Sequence, residues 1–115
     1  MEDNTLRRSM LFDFYGDLLT EKQREYYDLH YNEDLSLGEI AEQSGISRQG
    51  VWDIIRRADK ILMETEEKTG LVHRFQQLQT QVDEIEQLVR SAKEGRGDPD
   101  KLLGEVLSCL ENLRQ

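Results

Sequence analysis

Proline and cysteine each occur once in this chain and histidine twice, and each scarcity removes a class of function. A lone cysteine, Cys109, forms no internal disulfide, so packing alone must hold the fold, as suits a reducing compartment. His30, His73 and Cys109 lie far apart and show no metal-ligand spacing, so neither a metal nor another cofactor is expected. No glycine-rich phosphate cradle is present; Gly95-Arg96-Gly97 reads as a short linker. Carboxylates are many but scattered over helix faces, without a pair placed for acid–base work, and enzymatic activity is not expected. Long apolar runs are missing too. Near the start, Leu6, Met10, Leu11, Phe12, Tyr15, Leu18 and Leu19 are interrupted by Arg7, Arg8, Asp13 and Asp17. Neither a signal peptide nor a membrane span is read, and the cytoplasm is the expected location. Cations are the last shortage. Fifteen Lys and Arg face 24 Asp and Glu, a net charge of −9, and acids outnumber bases in each of 1–19, 20–63 and 64–115. A nucleic-acid partner would have to meet a local, weakly attractive surface, because phosphate neutralisation supplies most of such affinity.

What is present favours helices. The 115 residues are 37% hydrophobic and 34% charged, enough for one modest core and many solvated faces. Strand signals are absent, and no 20–50-residue repeat occurs. A first helix is expected over 5–19, with Thr5 as a possible N-cap and Leu11, Tyr15, Leu18 and Leu19 at helical spacing. Thr20-Glu21-Lys22-Gln23 fits a capping box and opens a helix carrying Tyr27 and Tyr31 on one face. Ser36-Leu37-Gly38-Glu39 is a second such box, starting a short helix that stops at Gly45. Ser47 caps a longer helix to Lys68-Thr69, with Gly70 able to end it. Another runs from Leu71 to about Lys93, and Asp98-Pro99 restarts the chain for a last helix to about Leu113. The expected class is all-α, with a helical domain over 1–69 and a C-terminal helical arm over 70–115.

Within the first domain, Ile40, Ala41, Gly45, Ile46, Val51 and Ile54 fall at the offsets of a helix-turn-helix. Ala41 lets two helices cross closely, and Gly45 supplies a left-handed turn residue without a Cβ clash. Ile46 is expected to plug the corner, while Val51 and Ile54 or Ile55 pack back onto Ile40. The recognition helix, about 47–69, would then present Ser47, Arg48, Gln49, Trp52, Asp53, Arg56, Arg57 and Lys60 outward. Arg48 suits guanine and Gln49 adenine, while Ser47 and the helix amides suit phosphate. Arg56, Arg57 and Lys60 form one local basic cluster, which Asp53 and Asp59 partly offset. Solvated helix charge is the plain alternative, and for Trp52 so is packing on a neighbouring helix or a partner.

The stretch from Leu19-Thr20-Glu21-Lys22-Gln23-Arg24 through Leu35–Ala41 to Ile46-Ser47 resembles region 4 of the bacterial sigma-70 family, a promoter-reading helix-turn-helix. More of the chain, nearly all of 5–90, resembles the YlxM-like family of DNA-binding proteins from Gram-positive bacteria. Leu11-Phe12-Asp13-Phe14-Tyr15-Gly16, Thr20–Gln23, Tyr26-Tyr27 with Tyr31, Glu39-Ile40-Ala41, Ser47–Val51, Arg56-Arg57, Lys60-Ile61-Leu62 and Glu66–Lys68 carry that likeness. The resemblance implies a sigma region 4-like DNA-binding half and a regulatory link to the signal recognition particle pathway. Trp52-Asp53-Ile54 departs from the basic and small polar residues of sigma recognition helices, which argues against promoter −35 recognition and true sigma activity.

In the arm, Leu71, Phe75, Leu78, Val82, Ile85 and Val89 recur at alternating spacings of four and three, and Leu103, Val106, Leu110 and Leu113 do likewise. An antiparallel hairpin, packing on the N-terminal helices and pairing with a second subunit all remain open. A lone hairpin leaves Phe75 and the Leu102/Leu107 flank poorly covered, so a homodimer is favoured. The expected function is therefore a dimeric regulatory protein binding double-stranded DNA weakly and salt-sensitively. The alternative is an adaptor for the signal recognition particle or RNA polymerase that no longer binds DNA, which the net charge and Asp53 favour.

Overall fold

The computed structural model describes residues 2–114, with side chains from 5 to 114, and every regular element among them is helical. The first, α1 (Glu2–Tyr15), starts three residues before the expected cap, so Thr5 lies inside a helix rather than at its edge. It leaves α geometry at Tyr15 and tightens into a 3-10 turn, Gly16–Leu18, closed by Leu19 N–H on the Gly16 carbonyl at 3.1 Å. The tighter turn changes the angular spacing of side chains. Leu18 consequently faces solvent, not the core that an unbroken helix to 19 predicts.

Local chemistry then sets each boundary. Thr20 and Gln23 satisfy each other's amides at 3.2 and 3.0 Å and open α2 (Glu21–Tyr27). A π-helical turn, Asp28–Asn32, carries α2 onward, with the Asn32 amide donating to Asp28 at 2.7 Å. The His30 ring Nδ1–H donates to the Leu35 carbonyl at 2.8 Å, and Asp34 takes a left-handed φ of 59° where the chain reverses. Ser36 and Glu39 make the second reciprocal cap and start α3 (Leu37–Ser44). Gly45 ends it at φ 72°, and Ser47 caps α4 (Arg48–Thr69) by accepting the Gly50 N–H at 3.0 Å.

The long helix α4 is the axis of the first compact unit. It buries Val51, Ile55, Ala58, Leu62 and Glu66, a stripe at spacings of four and three, against α1, α2 and α3. Leu11, Tyr26, Tyr27, Ile40 and Val72 complete a core in which each of these side chains is essentially inaccessible. Glu66 is the only charged residue buried there among the described residues. Its Oε1 accepts the Tyr15 hydroxyl at 2.7 Å and the Val72 N–H at 3.0 Å, and Tyr15 also bonds Thr69. The carboxylate thus satisfies an amide in the first turn of α5 (Leu71–Lys93), just past Gly70. This tie, with the burial of Val72, carries the first unit to Val72, slightly beyond the 69/70 division read from sequence.

The second unit, from His73, holds the rest of α5 and α6 (Pro99–Leu113). Gly95 and Gly97 take left-handed φ between them, and Asp98 caps α6 through the Asp100 N–H at 3.2 Å. The start of α5 and the end of α6 line one depression, while 84–91 and 101–109 line another, so the two helices run antiparallel. Among the described residues of this unit only Val106 is buried. Phe75, Leu78, Val82, Val89, Leu103, Leu107 and Leu110 stay between 38% and 67% exposed. No helix among the described residues is long and apolar enough to cross a membrane.

Candidate nucleic-acid interface

The helix-turn-helix corner is made by α3 and α4. Ile40 and Val51 are fully buried, Ala41 nearly so, and Gly45 provides the left-handed step between the helices. No atom outside its immediate neighbours lies within 4 Å of where a Cβ on Gly45 would stand, so backbone conformation alone asks for glycine there. Ile55 takes the fully buried place on α4, while Ile54 packs half-buried at the core's edge. Ile46 departs from expectation. It is 39% exposed and lies along the first turn of α4, its Cδ1 only 3.6 Å from where a Cβ on Gly50 would be. The left-handed step at Gly45 followed by extended Ser47 throws the intervening side chain outward, and Ala41 closes the corner without it.

The candidate contact residues fall into three groups. Gln49, Asp53, Arg56 and Lys60, at spacings of four, three and four, share the solvent stripe opposite the buried face of α4. Within it Asp53 holds its neighbours: the Gln49 amide donates to Asp53 Oδ1 at 3.0 Å, and Arg56 Nη2 lies 3.6 Å from the same oxygen. Lys60 sits 3.9 Å from Glu64. Arg48 occupies the flank toward α3. Its Nε would be 3.1 Å from a Cβ on Gly38, so the missing side chain at Gly38 is what lets the guanidinium lie across the start of α3. The third group is engaged within the unit itself. Trp52 is half-buried and packs against the core, and the Ser47 oxygen is used as the α4 cap.

Electrostatics inside the unit change the charge count on this face. Asp59 does not offset the basic cluster as the sequence suggests. It turns inward, 3.5 Å from Arg8 Nε and accepting the Tyr27 hydroxyl at 3.3 Å, while the Arg8 guanidinium lies 4.7 Å over the Tyr31 ring. Burial, then the charge of Asp59, pushes the Tyr27 phenol well above its usual range, against the opposing pull of Arg8. Burial likewise raises Tyr15 and Tyr31. At the α3 cap, the Ser36 N–H holds the Glu39 carboxyl below its usual value. With Asp59 engaged elsewhere, Arg57 remains exposed and forms no ion pair among the described residues.

The segment Leu11–Gly16 has a structural role that composition alone could not reveal. Leu11 is core, Phe12 stacks on Tyr27 at 5.7 Å with planes 5° apart, Tyr15 reaches Glu66, and Gly16 lies against the Phe12 ring.

A family model described as "Putative helix-turn-helix protein, YlxM / p13 like" matches residues 2–100, spanning the α3–α4 corner and all of α5. The chain belongs to this family. A UPF0122 protein of Thermoanaerobacter sp. strain X514 is 44% identical over 115 residues, covering 98% of each chain. One from Bacillus cereus strain AH187 is 45% identical over 111 residues, 96% of this chain and 100% of the relative. The family match runs through the helix-turn-helix unit and α5 and ends at the start of α6.

Proposed function

We propose that the protein is a DNA-binding regulatory protein that docks α4 in the major groove and works in the cytoplasm as a dimer joined through α5 and α6. The observation that carries this reading is the corner itself: Ala41, a left-handed Gly45 and a Ser47 cap set the exposed start of α4 forward. Among the described residues Arg48 is exposed and without an ion pair, and Arg57, likewise unpaired there, supplies a cation beside Arg56 and Lys60 for phosphate. The dimer is supported by the row Leu71, Phe75, Leu78, Val82 and Val89, exposed along α5, with Ile85 half-buried among them. A second copy would cover this row and double the few phosphate contacts. A sigma region 4-like mode of docking and regulation of the signal recognition particle pathway follow from the resemblance and belong to the same reading.

A second reading keeps the fold without DNA, as an adaptor for the signal recognition particle or RNA polymerase. The capture of Gln49 and Arg56 by Asp53, on a chain of net charge −9, favours it. Two variants separate the readings on labelled duplexes. Arg57→Ala should weaken binding to all sequences alike, whereas Arg48→Ala should relax base preference at one position by ~1–3 kcal/mol. Binding untouched by both contradicts the docking. Light scattering at micromolar concentration should give twice the monomer mass, and Leu78→Asp with Val82→Asp should return it to the monomer. A monomeric wild type contradicts the dimer.

A further inference from the structure

A groove between α1 and α2 is not used by any reading above. It has a volume of about 570 Å³ and is lined by Phe12, Leu19, Glu21, Arg24, Glu25 and Asp28. None of these residues belongs to α3 or α4. Its floor is apolar: Leu19 is buried, and Phe12 is fixed by its stacking on Tyr27. Its rim is acidic. Glu21, Glu25 and Asp28 recur at i, i+4 and i+7, which sets three carboxylates along one stripe. Like charges at that spacing repel, so the stripe works against the helix that carries it. Glu21 is compensated by its place in the first turn of α2, where the helix dipole favours an acid. Glu25 has no such compensation.

Among the described residues, no ion pair neutralises the acids of the rim. Its single cation, Arg24, is held by Asp17 at 2.9 Å and lies 5.9 Å over the Phe12 ring. The neutral amide of Asn32 is the one side-chain donor to Asp28 among the described residues, and it brings no positive charge. Among the described residues, no ion pair reaches Glu21 or Glu25, and Lys22 instead lies 5.8 Å over the Tyr26 ring. A polar rim that is anionic and unpaired, around a preformed aromatic and aliphatic floor, is complementary to a cationic amphipathic segment.

We propose that this groove docks a basic, amphipathic segment of a partner protein. One apolar side chain of the partner would rest on Phe12 and Leu19, with Lys or Arg side chains reaching Glu21 and Glu25. The acidic rim repels nucleic-acid phosphate, and a second copy of this chain, itself at net −9, is a poor electrostatic match. The site holds whether or not α4 meets DNA, so either claim can fail alone.

The test uses the full-length protein and a fluorescein-labelled helical peptide of 14 residues, about half Leu on one face and half Lys on the other. Anisotropy should show saturable binding, and amide shifts in ¹⁵N-labelled protein should concentrate on Phe12, Leu19 and 21–28. Glu21→Gln with Glu25→Gln should weaken binding about fivefold, the scale of two exposed ion pairs. Glu33→Gln with Glu42→Gln, equal in charge change but outside the groove, should leave it nearly unchanged. Equal weakening by both pairs means general acidity and overturns the proposal. So does an absence of binding, or shifts confined to the α5–α6 unit. Shifts at the groove that grow with protein concentration, without peptide, place a second copy there and overturn it too.

Discussion

Two aspartates one turn and a half apart on α4 behave oppositely, and their difference shapes the candidate interface. Asp59 is spent inward on Arg8 and Tyr27, whereas Asp53 stands in the outward stripe and holds Gln49 and Arg56. If the stripe faces DNA, Asp53 costs affinity both by repelling phosphate and by occupying donors. Asp53→Asn should therefore tighten binding to random duplex by about threefold to tenfold, consistent with gaining roughly one phosphate contact. Fluorescence anisotropy at fixed salt measures it, and unchanged affinity removes the stripe from the interface. The buried phenols make a second prediction. Tyr15, Tyr27 and Tyr31 are all raised above the usual 10.0 by burial, so each stays neutral in the fold after it ionises in the unfolded chain. Their contribution is complete below pH 10 and is lost as pH climbs from about 10 toward the folded values. Urea midpoints should hold up to about pH 10 and fall above it, and fall less steeply in Tyr27→Phe. A flat profile contradicts the burial of these rings.

At the level of elements, the boundaries set by short-range chemistry are legible in the sequence. Thr20 with Gln23, Ser36 with Glu39, Gly45, Ser47, Gly70 and Asp98-Pro99 each act within a few residues, so their patterns carry the geometry directly. What could not be read depends on distant packing. The 3-10 turn after Tyr15 and the π turn after Tyr27 lie where Phe12 stacks on Tyr27 and Tyr27 meets the tilted ring of Tyr31, and no local pattern announces them. Glu66 looks like one more solvated acid until Tyr15, 51 residues away, donates to it. The outward turn of Ile46 and the inward turn of Asp59 were missed for the same reason. The i, i+4, i+7 spacing of Glu21, Glu25 and Asp28 lies in the sequence, but the groove they border does not. Gly45 offers the sharpest check on this scale. With open space around a would-be Cβ, Gly45→Ala should cost only the left-handed strain, ~1–2 kcal/mol, without a steric clash. Chemical unfolding measures it, and a cost near zero means the corner tolerates another backbone.

Taken whole, the molecule pairs a well-packed helix-turn-helix unit with a helical pair whose apolar residues are largely uncovered. Under the proposed function, the first unit enters a groove with little charge to hold it, and the second pairs with a twin and so doubles that charge. Acidity overall means that attraction to DNA would come from a handful of cations, Arg48 and Arg57 above all, with Arg56 and Lys60 partly held by Asp53 and Glu64; in the proposed dimer that is about four to six contacts. The most direct measurement is a salt titration of affinity for random double-stranded DNA. Binding should appear at ~50 mM salt and decline with a log–log slope of about −4 to −5, as expected for four to six phosphates neutralised by a dimer. No binding at that salt, or affinity indifferent to salt, would contradict DNA recognition by α4.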